Sequence, residues 1–192
     1  MKNKGRVQQE VDEDDNQDDQ QEAGPSAVEL LREDHQKVQD LFEEFEGADS
    51  RSRPRIVEQA LTELEIHAKL EEGLIYPAIR EALDEEDMMD EALEEHHVVE
   101  LLIKELRKMG PKDERYHAKF TVLSEMVKHH IEEEESDMLP QAEETDIDMT
   151  ELGQEAMDLK EKLMAKMHPG SSSKKKSSSS PKSGKSRKRK AA

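Results

Sequence analysis

Apolar positions between residues 26 and 167 recur at intervals of three and four, the repeat of one face of an α-helix. The first such stripe reads Val28, Leu31, His35, Val38, Phe42 and Phe45. Ser26 and Glu29 form a capping-box pattern at its start, and Gly47 is placed to end it. Pro54 suits the first turn of a second helix, whose inward positions read Ala60, Leu64, His67, Glu71, Leu74 or Ile75, and Ala78. Gly73 and Pro77 predict a kink or a break near its end. Acidic residues from Asp84 to Asp87 mark the next connection. The third stripe, Met89, Leu93, His96, Val99, Ile103 and Leu106, is stopped by Gly110 and Pro111. The fourth holds Tyr116, Phe120, Leu123, Val127, His130 and Glu134, with Pro140 placed to bend it. A shorter helix is expected over 149–167, packing through Leu152, Leu159, Leu163 and Met167.

No stretch alternates apolar and polar residues as a half-buried strand does, so the fold class is all-α. Four helices of about 20 residues with short connections predict an up-down-up-down four-helix bundle carrying a short fifth helix. The expected domain spans 26–167. Residues 1–24 hold eight acidic and few large apolar side chains, and 168–192 form a Lys/Ser-rich tail. Neither composition buries enough surface to offset ordering entropy, so both are expected to be disordered.

The stripes carry more than packing residues. Each of the four long helices places one histidine on its inward face, and two place a glutamate one turn later. His67, Glu71, Glu72 and Pro77 read HxxxEExxxxP, as do His130, Glu134, Glu135 and Pro140. The repeat extends backwards, with His35 lying 32 residues before His67 and His96 lying 34 before His130. The chain reads as one helical hairpin written twice. A lone histidine on an apolar stripe is more often a hydrogen-bonded core residue than a ligand. Two buried carboxylates without partners would cost several kcal/mol each, against a total stability of roughly 5–15 kcal/mol. Either these side chains are not buried or something cationic sits between them. A pair of metal ions meets that demand. His97, His117, His129 and His168 read as non-ligands, with His97 and His129 on the flanks beside the site. Glu72 and Glu135 read as solvated flank charges, with metal contact as the alternative. Glu100, four residues after His96, is balanced between a further ligand and a surface charge.

Cysteine is absent, which excludes disulfides, thiolate metal sites and thiol chemistry, and leaves metals that accept nitrogen and oxygen donors. The formal charge is −19, yet residues 171–192 hold nine basic and no acidic side chains, so the remainder carries −28. Such a body repels nucleic acid. Only the tail, with Lys174 to Lys176 and Arg187 to Lys190, has the composition to bind it. The competing reading folds the tail back onto the acidic body. No apolar run approaches the roughly 20 residues of a membrane span, and no signal-peptide core is present at the start. The expected location is cytoplasmic.

In the order H-HxxxE-H-HxxxE, residues His35, His67, Glu71, His96, His130 and Glu134 resemble the hemerythrin-like HHE cation-binding family over roughly 26–167. The resemblance implies a four-helix bundle enclosing a non-haem di-iron centre, two irons per chain. It implies that Glu71 and Glu134 bridge the irons, that His35 with His67 caps one, and that His96 with His130 caps the other. Oxygen-carrying hemerythrins differ: they have a second histidine one turn along the third helix, where this chain has Glu100, and an HxxxxD pair on the fourth. More carboxylate and less imidazole favours the ferric state and argues against reversible O2 carriage. Members with the present arrangement are associated with iron binding, oxidative-stress defence and peroxide decomposition. Two functions stand side by side: a module that holds or senses iron, O2 or NO, and a catalase-like di-iron enzyme acting on H2O2.

Overall fold

The computed structural model describes residues 24–83 and 86–167, apart from the side chain of Glu86. The two segments expected to be disordered lie outside the described residues, except for Gly24. The described chain is helical, with no strand. Helix α1 spans Ala27–Gly47 and α2 spans Arg53–Leu70. A π-helical segment, Glu71–Ile75, leads without a break into α3, Tyr76–Ala82. Helices α4, Glu86–Lys108, and α5, Tyr116–Glu133, form the second hairpin. It ends in the same way, with a π-helical segment, Glu134–Met138, and then α6, Leu139–Glu143. Helix α7, Met149–Met167, is the fifth long helix. No described helix is long and apolar enough to cross a membrane.

The capping box at Ser26 is formed, with the Ser26 hydroxyl accepting from the Glu29 amide and the Glu29 carboxylate accepting from the Ser26 amide. The bends expected at Pro77 and Pro140 are resolved by widening the helix. Proline lacks an N–H, and its ring clashes with the carbonyl four residues back. In each hairpin the turn ahead of the proline opens by one residue. The Tyr76 amide donates to the Glu71 carbonyl, and the Leu139 amide to the Glu134 carbonyl, each five residues back. The extra residue advances the helix register. Ile75, Tyr76 and Ile79 therefore face inward, while Ala78 of the expected stripe is only half-buried. Leu93 also departs from its stripe, standing 37% exposed.

The bundle packs α1 against α2 and α4 against α5, and α7 lies across α1 and α2. Two apolar clusters fill it. One contains Phe42, Phe45, Ile56, Leu61, Leu106 and Phe120, and the other Leu31, Ile66, Leu70, Ile79, Met89 and Leu139. The four stripe histidines lie close to where each helix passes from one cluster to the other. Helix α7 is held by a close approach at Gly153, where a Cβ would stand 2.2 Å from the Pro25 carbonyl oxygen and 2.8 Å from the Ala27 nitrogen. Its Lys160 forms an ion pair with the buried Asp34 of α1.

Gly153→Ala is expected to pry α7 from the start of α1 and cost about 1–3 kcal/mol, as overpacking does. Gly73→Ala, where a Cβ meets nothing within 4 Å, should be neutral or mildly stabilising. Urea unfolding followed by circular dichroism separates the two signs.

Candidate metal centre

Four helices bring His35, His67, Glu71, His96, His130 and Glu134 to one place, all of them less than a tenth exposed. The donor atoms fall into two groups, His35, His67, Glu71 and Glu134 in one, and Glu71, His96 and His130 in the other. Within each group the donor atoms lie within 4.8 Å of one another. Glu71 belongs to both. Its Oε1 is 3.0 Å from His67 Nε2 and its Oε2 is 3.3 Å from His96 Nε2. Glu134 likewise spans the groups, its Oε2 lying 3.2 Å from His35 Nε2 and 3.4 Å from His130 Nε2. The Nε2 atoms of His96 and His130 face each other at 3.0 Å.

Their mutual geometry fits a metal better than a hydrogen-bonded cluster. His35 Nε2, His67 Nε2, both Glu71 oxygens and Glu134 Oε2 are buried without a properly aligned hydrogen-bond partner. Orphaned buried polar atoms are rare, because each costs about 1–3 kcal/mol or more when charged. Donors held about 2.0–2.2 Å from one ion, at angles near 90–110°, stand roughly 2.9–3.5 Å apart. The observed separations match the edges of such a coordination shell.

A second layer of carboxylates orients the rings. Glu135 Oε1 is 2.8 Å from His35 Nδ1, Glu72 Oε1 is 3.0 Å from His96 Nδ1, and Glu95 Oε2 is 2.7 Å from His130 Nδ1. Each accepts from Nδ1–H and leaves the Nε2 lone pair facing inward, the tautomer a metal requires. Glu72 and Glu135, expected to be plain flank charges, are half in solvent yet carry this role. Asp34 is the fourth member, but its Oδ2 stays 3.9 Å from His67 Nδ1 while its other oxygen pairs with Lys160.

Tyr76 is the residue that helical periodicity does not announce. The π-helical step turns it inward, where its hydroxyl donates to Glu134 Oε1 at 2.6 Å and lies 3.5 and 3.4 Å from His96 and His130 Nε2. Burial and the carboxylates of Glu71 and Glu134 hold its pKa well above the ordinary value, so it remains a neutral donor. The position equivalent in the second hairpin is Leu139, so the two halves differ here. Glu100 is exposed and pairs with Lys104 at 2.6 Å, away from the donor groups. His129 is exposed beside Glu133 at 3.3 Å, and His97 is exposed on α4.

Charge alternates through the ion-free cluster. Burial alone would lower the pKa of His67, but the adjacent Glu71 carboxylate overrides it and pushes His67 up to about 10. Burial alone would raise Glu71, and the His67 and His96 imidazoles instead hold it well below its usual range. His96 is raised by Glu71 against its own burial.

The model of the hemerythrin HHE cation binding domain matches residues 26–142. Among solved structures, a hemerythrin HHE cation binding domain-containing protein from Mycobacterium kansasii superposes with a TM-score of 0.65 at 24% identity, over 78% of this chain and 94% of that one. That likeness concerns the fold. A curated relative, a DNA nickase of Nostoc sp. strain PCC 7120, is 28% identical over 108 residues. Those residues are 56% of this chain and 30% of the relative, so the chain spans less than a third of that protein's length.

The raised His67 sets the pH response. A histidine whose folded pKa exceeds its unfolded value, near 6.5, gives stability that is complete below 6.5 and is lost as pH rises through the folded value. The metal-free protein should therefore lose stability as pH rises through about 10, read as a falling urea midpoint that flattens in His67→Ala. Metal uptake at pH 7–8 should release the His67 proton, and calorimetry in buffers of different ionisation heat would measure it.

Proposed function

The chain belongs to the hemerythrin HHE cation-binding domain family, and from that premise we propose that it is a non-haem di-iron protein. His35 and His67 hold one iron and His96 and His130 the other, with Glu71 and Glu134 bridging. The observation that carries this reading is the set of six buried imidazole and carboxylate side chains whose donor atoms gather around two shared points, with atoms of His35, His67, Glu71 and Glu134 left without a hydrogen-bond partner. The donors are nitrogen and oxygen without thiolate, which suits iron in its ferric as well as its ferrous form. When bound, the ion pair supplies one-electron steps and a Lewis-acidic place for a small oxygen or nitrogen ligand. The protein's own share is to fix the imidazole tautomers through Glu72, Glu95 and Glu135, to hold a proton on the Tyr76 hydroxyl beside Glu134, and to flank the donors with the two apolar clusters.

Holding or sensing iron, O2 or NO is the reading supported first, within the setting of oxidative-stress defence. Decomposition of H2O2 stands second. It is favoured by the Tyr76 hydroxyl, a proton donor placed 3.4–3.5 Å from both imidazoles of the three-donor group. The expected location remains cytoplasmic. After anaerobic Fe(II) loading, metal analysis should find about two equivalents per chain, reduced in His67→Ala and in His130→Ala. One equivalent or less, unchanged in both variants, rejects the di-iron reading. Oxygen release on adding H2O2 to the loaded protein, slowed in Tyr76→Phe at unchanged iron content, would move the enzyme reading ahead.

A nucleic-acid contact through 171–192 is the remaining proposal. Its support is the run of nine basic residues without an acidic neighbour, together with likeness to a protein called a DNA nickase. Binding should appear only at low salt, with a log–log slope of at most about −8 on duplex DNA. Removing 171–192 should abolish it while leaving iron content unchanged. Absence of binding by the full chain in a low-salt anisotropy titration would favour the tail folding back on the acidic body.

A further inference from the structure

A cavity of about 390 Å3 opens between α2 and α4 and reaches the four histidines. Its size exceeds what small inorganic ligands use. At the roughly 30 Å3 that one water takes in the liquid, it would hold about thirteen heavy atoms, whereas O2 or H2O2 has two. Its body is aliphatic, formed by Val38, Leu64, Val99, Ile103, Val127 and Ile131. Such a wall, with a few polar groups at one end, is the make-up of a site for an organic molecule. At the mouth, Lys69 and Lys104 stand among Glu65, Glu72 and Glu100, with His97 beside them.

The inner end names the head group. One donor group has four protein residues, while the other has three, Glu71, His96 and His130. Glu134 reaches that second group only through the oxygen it shares with the first, Oε2 at 3.4 Å from His130 Nε2, while its other oxygen accepts from the Tyr76 hydroxyl at 2.6 Å. Two divalent ions would meet only two bridging carboxylate charges there. The carboxylates of the outer layer are engaged by imidazole Nδ1–H or by Lys160. A buried cationic site short of one oxygen donor, opening onto an aliphatic wall, selects an anion with an apolar body. Resting on the di-metal reading above, the geometry points to a binding site for a small monocarboxylate. Its carboxylate lies on the side of His96 and His130, and its hydrocarbon body runs along Val99 and Ile103.

The test uses the full chain loaded anaerobically with Fe(II) or with Co(II), whose absorption reports on its ligands. Acetate, butanoate, hexanoate, octanoate, decanoate and dodecanoate are titrated by calorimetry and by the metal absorption band. Affinity should rise up to about fourfold per methylene, levelling near decanoate, which has about the number of heavy atoms the cavity holds. The absorption band should shift with each acid. Val99→Phe fills the cavity from a residue that is not a ligand. It should remove the chain-length gain while acetate affinity and metal content stay as they were. Val99→Ala, the milder change, should move the plateau toward dodecanoate and serves where the larger side chain disturbs folding. Equal affinity for acetate and octanoate overturns the proposal. So does octanoate binding of equal strength to metal-free protein, since the carboxylate would then not be at the centre. Failure to take up metal, seen before any acid is added, overturns the di-metal reading and this proposal with it.

Discussion

Six ionisable side chains sit where a helical bundle would ordinarily place leucine, and the rest of the structure is arranged around that cost. Glu71 and Glu134 are almost wholly excluded from solvent, a state tolerable for a carboxylate only beside a cation. For Glu71 the His67 and His96 imidazoles supply that charge. A metal would replace the proton without moving the donors far, because the donor atoms already stand at ligand-edge separations. The site is thus carried by electrostatic compensation in both states. The apolar clusters on either side keep the local dielectric low enough for the compensation to be strong.

The two hairpins solve this problem by the same local device. In each, the residue before the first histidine reaches toward the second histidine of its own hairpin, as Asp34 does toward His67 and Glu95 does to His130. The residue after the bridging candidate crosses to the other hairpin, Glu72 to His96 and Glu135 to His35. The copies have diverged at two points. Tyr76 stands where the second copy has Leu139, and Lys160 of α7 draws Asp34 away from His67. Both differences make the two donor groups unequal, which a perfect repeat would not.

Helix positions, caps and the buried histidines were legible in the chain because they follow a single period of 3.6. Ser26 with Glu29, the Gly110-Pro111 stop and the stripe from Tyr116 to Glu134 all stand in the structure where periodicity places them. Tyr76 was not legible, since a π-helical step adds a residue and invalidates any count carried past Glu71. A proline inside a helical pattern, six residues after a ligand-type glutamate, is the signal that it leaves. Glu72 and Glu135 were misread for a different reason. A helical wheel treats each helix alone, but a glutamate 100° from the inward face has enough reach to meet an imidazole on the neighbouring helix. The doubled acidic pairs around each histidine, repeated in both halves, are the trace of that role. Leu93 failed its stripe because α4 borders an open cavity there instead of a packed neighbour.

The crossing of ligands between hairpins also orders events in time. Each donor group draws on both halves of the chain: the first needs Glu134 from the later hairpin, and the second needs Glu71 from the earlier one. The hairpins themselves form through contacts close in sequence, which are quick to close, whereas bringing the two together must await the last of α5. A ribosome-bound or truncated chain holding only α1 to α3 therefore lacks one of the four donors of the first group and two of the three of the second. Completion of both groups becomes a late event that certifies a finished bundle.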